Sequence, residues 1–368
     1  MSKARRRTPR KRSSKGFFQS LLVLAISIVI VLLIAEAAVY LLHRERIVLF
    51  PRYVTDVRRG DFHVRGNIPN ATYRHKSVDG TWWFGINANG FRDDRDFEYE
   101  KPETITRILV LGDSFTIGYE VQQQETYSAV LERCLRKRGL EVEVLNAGMS
   151  GSSTAEELVF FEQEGLRYDP DIVVIGFYWN DLQDNLKANL YRLDDGELKL
   201  NATEYVPAVR IRNRLNAIPL YGWLSQRSYF HNYLNNVATE YFKKAMLKEN
   251  MAALERSSGL EPADIENYKN ELGRALVSRI TEIAHAHGAG VVLLDIASWD
   301  LESSFPWSGD GDVGTVADVY VDTAPLLAEY EGLAPLRAPH GHGHWSPLSH
   351  LVAGVELGRV IAELMAEE

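Results

Sequence analysis

Residues 17–42, FFQSLLVLAISIVIVLLIAEAAVYLL, form an apolar run that a single helix would carry across a bilayer. About 20 apolar residues suffice to span the hydrocarbon layer, and the only charge in this run is Glu36. Such a segment constrains everything after it, because the rest of the chain must either hang from a membrane-spanning helix or follow a cleaved leader. The preceding MSKARRRTPRKRSSK carries eight Lys/Arg and no acid, and the positive-inside bias keeps a tail of that kind in the cytoplasm. The expectation is a single-pass membrane protein with residues 1–16 as a basic cytoplasmic tail and residues 17–42 in the bilayer. The body then lies outside the cytoplasm, in a periplasm or at a cell surface. Ala35-Glu36-Ala37 loosely matches a small-x-small cleavage pattern. The apolar run continues past it, which favours a retained signal-anchor.

The formal net charge is −9, of which the tail contributes +8, so the remaining residues carry −17. A body of that sign repels polyanions, and nucleic acid is not an expected partner. The single cysteine, Cys134, excludes an intramolecular disulfide and a cysteine-rich metal cluster. It sits in YSAVLERCLRKRGL, whose helical spacing makes it a partly buried thiol.

Residues 43–104 read as an extracytoplasmic β-rich approach segment. NIPNATYRHKSVDGTWWFGINANGFRDDRDF alternates short aromatic runs with Asp-Gly and Asn-Gly turn signals. From residue 105 the pattern becomes alternating strand and helix. TRILVLGDS, EVEVLNAG, DIVVIGFYWND and AGVVLLDI read as buried strands. ETYSAVLERCLRKRG, SSTAEELVFFEQEG, ENYKNELGRALVSRITEIAHAHG and LSHLVAGVELGRVIAELMAE read as helices. Strands spaced by helices of this length imply right-handed crossovers and a parallel sheet. The expected fold is a three-layer α/β/α sandwich over residues 105–366, interrupted by an insertion at 186–264 that breaks the alternation.

In open parallel sheets chemistry gathers beyond the carboxyl ends of the strands. GDSFT offers Ser114 there, NAGMSG offers Gly148, and WND offers Asn180. HGHGHWSPLSH, residues 340–350, holds four of the ten histidines just before the last helix. A hydroxyl becomes a nucleophile when an adjacent base takes its proton, and a tetrahedral oxyanion needs preorganised donors. The N–H groups of Ser114 and Gly148 and the carboxamide of Asn180 are the candidates. The histidine stretch by itself suits either a general base or a metal site through His340, His342 and His344. No complementary cluster such as HExxH accompanies it, and no cofactor is expected.

These four blocks resemble the SGNH/GDSL hydrolases, a family with a flavodoxin-like α/β/α fold. The resemblance implies a serine esterase with Ser114 as nucleophile, His344 of HWSPLSH as base, and Gly148 and Asn180 in the oxyanion hole. INANGFRDD also resembles a segment found upstream of the hydrolase domain in membrane-anchored members. The sequence departs from the family in two places. Tyr178 stands where a glycine is usual, and the family's aspartate, two or three residues before the histidine, is replaced by His342 and Gly341. A Ser–His dyad, or a remote acid such as Asp310, Asp312 or Asp322, would have to substitute, and His342→Asp is expected to raise turnover. The other histidines are expected to be neutral in role, with His350 starting a helix and His340 in a solvated loop.

An outward-facing enzyme with an aromatic flank (Trp82, Trp83, Tyr178, Trp179) suits removal or transfer of small acyl groups, such as acetyl, on cell-surface glycans. Its expected partners are an acylated small molecule or carbohydrate and the lipid bilayer. The competing class is a catalytically weak or inactive glycan-binding or assembly protein that retains the fold.

Overall fold

The computed structural model describes residues 14–51, 54–207, 209–258, 264–307 and 313–367. Helix α1 (Ser14–His43) is nearly all exposed and contains the apolar run. A window in the span Gly16–Arg46 has a mean hydropathy of 2.9, long and apolar enough to cross a membrane. Most of the basic tail lies outside the described residues.

Two antiparallel hairpins follow: β1 (Val54–Arg59) with β2 (Phe62–Asn67), and β3 (Thr72–Lys76) with β4 (Thr81–Gly85). Next come β5 (Thr106–Gly112), α2 (Ser114–Ile117), α3 (Tyr127–Lys137), β6 (Val142–Asn146), α4 (Thr154–Gln163) and β7 (Ile172–Phe177). After α5 (Asn180–Ala188) the chain makes a third hairpin, β8 (Tyr191–Asp194) with β9 (Glu197–Leu200). Three helices follow it: α6 (Val209–Asn216), α7 (Pro219–Ser225) and α8 (Tyr229–Ser258). The chain closes with α9 (Ile265–Ala286), β10 (Gly290–Asp295), β11 (Val319–Asp322), α10 (Thr323–Ala328) and α11 (Pro347–Glu367).

The central sheet has the order β11-β10-β7-β5-β6, and every pairing in it is parallel. The two-residue period of a strand divides each apolar run between two cores. Ile108 and Val110 of β5 enter the layer with α3, α10 and α11, whereas Leu109 and Leu111 enter the layer with α4, α5 and α9. The expected α/β/α sandwich is therefore present. Strand β11, which propensity did not reveal, adds a fifth member. Three of its four residues are only partly buried, Val321 being the exception, and pairing with β10 rather than apolar content makes it a strand.

The chain enters the sheet at β5, turns to the β6 edge, then crosses to β7 and the other edge. The strand order thus reverses between β5 and β7. Such a reversal opens a crevice at the carboxyl ends of the two neighbours, and the GDSFT and WND loops leave β5 and β7 there.

Candidate active site

Gly112 ends β5 at φ +146°, where a Cβ would collide with Thr116 Oγ1. Asp113 caps α2, its Oδ1 accepting the Phe115 N–H at 2.8 Å, so Ser114 is the first helical residue. An N–H at that position has no intrahelical acceptor. Thr116 is fixed from behind, 2.6 Å from the Tyr127 hydroxyl. The histidine loop before α11 brings His344 Nε2 to 2.8 Å from Ser114 Oγ across 230 residues of chain. Phe115 and Tyr119 flank the imidazole at ring-centroid distances of 5.0 and 5.1 Å.

Behind His344 lies an acid that the spacing did not reveal. Glu120, six residues after the serine, has a fully buried side chain, and its Oε2 is 3.6 Å from His344 Nδ1. Its carboxylate also accepts the His344 N–H at 3.2 Å and the His342 N–H at 3.3 Å. The histidine stretch is folded around this one carboxylate. Gly341 is left-handed at φ +71°, and a Cβ there would strike Glu120 Oε1. Glu120 is itself left-handed at φ +64°, a conformation that costs a non-glycine residue energy and needs support. Arg92 supplies it by donating to the carbonyls of Ile117, Gly118 and Val121, with its guanidinium 3.8 Å from the Phe84 ring centroid. Arg92 belongs to INANGFRDD, so that upstream segment holds the turn carrying Ser114 and Glu120.

The candidate remote acids do not take this place. Asp322 caps α10 through the Ala324 N–H at 2.9 Å, and Asp310 and Asp312 lie outside the described residues. The imidazoles of the stretch point to different partners. His340 Nδ1 is 2.6 Å from Asp79, His344 faces Ser114, and His342 packs edge-on to Phe50. Among the described residues, no three metal-ligating side chains are gathered. His350 stands at the start of a helix, as expected. It is fully buried in the first turn of α11, and its Nδ1 accepts the Tyr127 N–H at 3.2 Å. Burial drives its pKa down to about 3, so it stays neutral.

The oxyanion candidates are differently disposed from the expectation. The Gly148 N–H donates to Asn146 Oδ1 at 3.0 Å, and its carbonyl accepts from Asn67 at 2.9 Å. Glycine is required here by packing: a Cβ would collide with the Ile117 nitrogen and lie 2.8 Å from the Thr116 carbonyl carbon. Asn180 opens α5 beside Ser114. Its amide donates to Asp184 Oδ2 at 3.1 Å and Asp113 Oδ2 at 3.3 Å, leaving its own buried carbonyl oxygen without a hydrogen bond.

Four carboxyls lie beneath the serine, and burial dominates their chemistry. It raises Asp113 to about 6 against the opposing pull of hydrogen bonds and His344. Burial, then the charge of Asp113, pushes Glu157 up to about 8, and Asp181 is raised well above its ordinary range for the same kind of reason. The fourth, Asp184, is neutralised by Lys187 at 2.6 Å.

The rim is aromatic. Tyr178 packs against Phe115 with the rings tilted at 48° and their centroids 4.4 Å apart, filling the space a glycine would leave. Arg337 lies 4.8 Å from the Trp299 ring centroid and donates to the carbonyls of Ala297, Ser298 and Gly343, tying two rim loops together. Trp179 and Trp299 stand 42% and 59% exposed, one beside Asn180 and one against Gly343. Trp83 is exposed too, but in the β3–β4 hairpin, while Trp82 is buried in packing.

A family model described as GDSL-like Lipase/Acylhydrolase matches residues 110–347. Over 75 residues the chain is 33% identical to an arylesterase from Vibrio mimicus, a stretch covering 20% of this chain and 38% of that protein. Among solved structures, TesA aligns at a TM-score of 0.38 and 16% identity over 69% of this chain and 97% of its own. A two-domain esterase active on acetylated mannans aligns at 0.39 and 12% identity, over 72% and 50%. An acetylxylan esterase from Geobacillus stearothermophilus aligns at 0.36 and 14% identity, over 70% and 93%.

Proposed function

This chain belongs to the GDSL-like lipase/acylhydrolase family, and on that premise we propose that it is a membrane-anchored serine acyl hydrolase working outside the cytoplasm. The observation that carries the reading is the 2.8 Å approach of His344 Nε2 to Ser114 Oγ. His344 takes the serine proton as Oγ attacks the ester carbonyl, then passes it to the departing alcohol. The acyl group stays on Ser114 until water, or a second alcohol in a transfer reaction, removes it. Glu120 faces the imidazolium formed in both half-reactions. The Ser114 N–H and the Asn180 amide serve the oxyanion, the latter by releasing one of its carboxylate partners. The Gly148 N–H contributes only if shared with Asn146.

Substrates are acylated carbohydrates at the cell surface. The exposed indoles of Trp179 and Trp299 support this, because they offer flat apolar faces, one beside Asn180 and one against Gly343. The orientation is supported by the eight cations of the tail. The test is turnover of p-nitrophenyl acetate by the detergent-solubilised full chain. Covalent labelling by a fluorophosphonate should be lost in Ser114→Ala, whereas labelling that persists in that variant would place the nucleophile elsewhere. A reporter fused after residue 50 should be active only outside the cytoplasm.

A further inference from the structure

The insertion holds a feature that the serine chemistry does not use. A cavity of about 390 Å³ runs between α6, α7 and α8 and the body of the protein. Its outer walls combine the apolar Leu215, Ala238, Phe242 and Met246 with the polar Arg212, Asn235, Thr239 and Lys243, and Tyr221 of α7 stands at one side. Its inner end reaches Tyr119, Gly151 and Asp184. These residues adjoin the reacting groups: Tyr119 packs on His344, and Asp184 bonds Asn180. Gly151 lies three residues beyond Gly148.

The position of α7 relative to α1 gives this cavity its meaning. Glu36, the only charge in the apolar run, accepts the Ser228 hydroxyl at 2.6 Å and the N–H groups of Tyr229 and Phe230 at 2.8 and 3.1 Å. The start of α8 is thereby fixed beside Glu36, where a span of about 20 apolar residues begun at Phe17 would leave the hydrocarbon layer. Tyr40 packs on Tyr229 at 5.1 Å and His43 on Tyr233 at 5.1 Å, so α8 runs along the last turns of α1, toward its carboxyl end. Helix α7 ends three residues before Ser228 and so adjoins this anchored turn. There it exposes Ile218 just before it, together with Leu220 and Trp223, at 50%, 62% and 50%. Apolar side chains with a tryptophan, a few residues from the turn held by Glu36, suit an interfacial element.

We propose that α7 lies in the outer face of the bilayer and that the cavity behind it receives the hydrocarbon chain of a membrane amphiphile, presenting that molecule's ester to Ser114. This rests on the anchored hydrolase reading and adds the class of substrate: one delivered from the membrane rather than from solution. The chain is either the acyl group itself or the lipid that carries the acylated sugar.

The test uses the full chain in nanodiscs of phosphatidylethanolamine and phosphatidylglycerol. A phosphatidylcholine with a diazirine in one acyl chain should photolabel peptides spanning 205–246 as well as α1. Ala238→Trp, which fills the cavity, and the Leu220→Asp/Trp223→Asp pair should cut the 205–246 labelling about tenfold, leaving that of α1 as the internal reference. Labelling confined to α1, or unmoved by both variants, overturns the proposal. In a second arm, kcat/KM is measured for p-nitrophenyl dodecanoate and p-nitrophenyl acetate. A tenfold fall in their ratio in Ala238→Trp identifies the chain as the reacting acyl group, since each methylene in an apolar pocket is worth about tenfold or more. An unchanged ratio with lost labelling identifies it as the carrier. If the wild type cleaves neither ester but labels in 205–246, the hydrolase reading falls and the lipid site stands.

Discussion

Replacing Glu120 with Gln removes one negative charge 3.6 Å from His344 Nδ1 while preserving side-chain volume. An imidazolium and a carboxylate at that separation interact by about 4–5 kcal/mol at an effective dielectric constant of about 20. The attraction exists only when the imidazole is protonated, in the transition states on either side of the acyl-enzyme. Its loss should therefore fall on kcat, by about 10³-fold, with KM within about threefold. That is of the size, about 10⁴-fold, seen when the acid is removed from a complete triad. Gln cannot reproduce both backbone contacts. The His342 and His344 N–H groups approach different oxygens, and one of them would face an amide NH₂. The apparent melting temperature should drop by a few degrees, and Glu120→Asp should recover only part of the rate because its carboxylate is set back by one methylene. The assay is steady-state and pre-steady-state cleavage of p-nitrophenyl acetate, with circular dichroism confirming the fold. A Glu120→Gln enzyme within fivefold of wild-type kcat would refute the role given to this carboxylate.

His342→Asp, expected from the sequence to raise turnover, should instead lower it, because a second carboxylate would crowd Glu120. In a Glu120→Ala background the same change should raise turnover, and a double-mutant cycle in kcat would show the sign reversal. Gly148→Ala should cost about 1–3 kcal/mol of stability by overpacking and at least about 100-fold in kcat by shifting α2 and its serine, read by denaturation and kinetics together. Glu157 has a folded pKa raised to about 8 from 4.5, so the folded state holds a proton that the unfolded state releases. Its contribution to stability is intact below pH 4.5 and is lost as pH rises toward 8, at about 1.4 kcal/mol for each tenfold difference in proton affinity between the two states. Glu157→Gln should melt close to wild type at pH 4.5 and several degrees higher at pH 8, and parallel melting-temperature curves across that range would contradict it.

The sandwich was legible because it rests on local signals, while the pairing of Ser114 with His344 was implied by the family resemblance, the histidine stretch alone leaving the base open. Buried β-branched runs, helix periodicity and loops with distinctive residues survive in one dimension. Glu120 was not legible, since it looks like any acid in a turn until the chain returns more than 220 residues later with two N–H groups. Gly148 was named as an oxyanion donor, whereas the close approach of α2 that its missing Cβ permits is a packing fact without a sequence signature. The insertion broke the strand–helix alternation, so its boundaries could be approximated. The cavity behind α7 depends on where Glu36 seats α8, which no periodicity encodes.

The left-handed glycine at 341 and the acid at 120 are coupled as a lock and its clearance. Any side chain at 341 would occupy the space of Glu120 Oε1, and a Glu120 with no glycine opposite would have nowhere to go. Neither change is useful without the other, so the two must be inherited as a unit although they lie at opposite ends of the hydrolase segment. A chimera that exchanged only the last forty residues with a homologue bearing an acid before its histidine would carry two carboxylates for one imidazole. Exchange in the other direction would leave none. The boundary for recombination within this architecture is thus set by an unseen charge, and it falls before the serine rather than before the histidine.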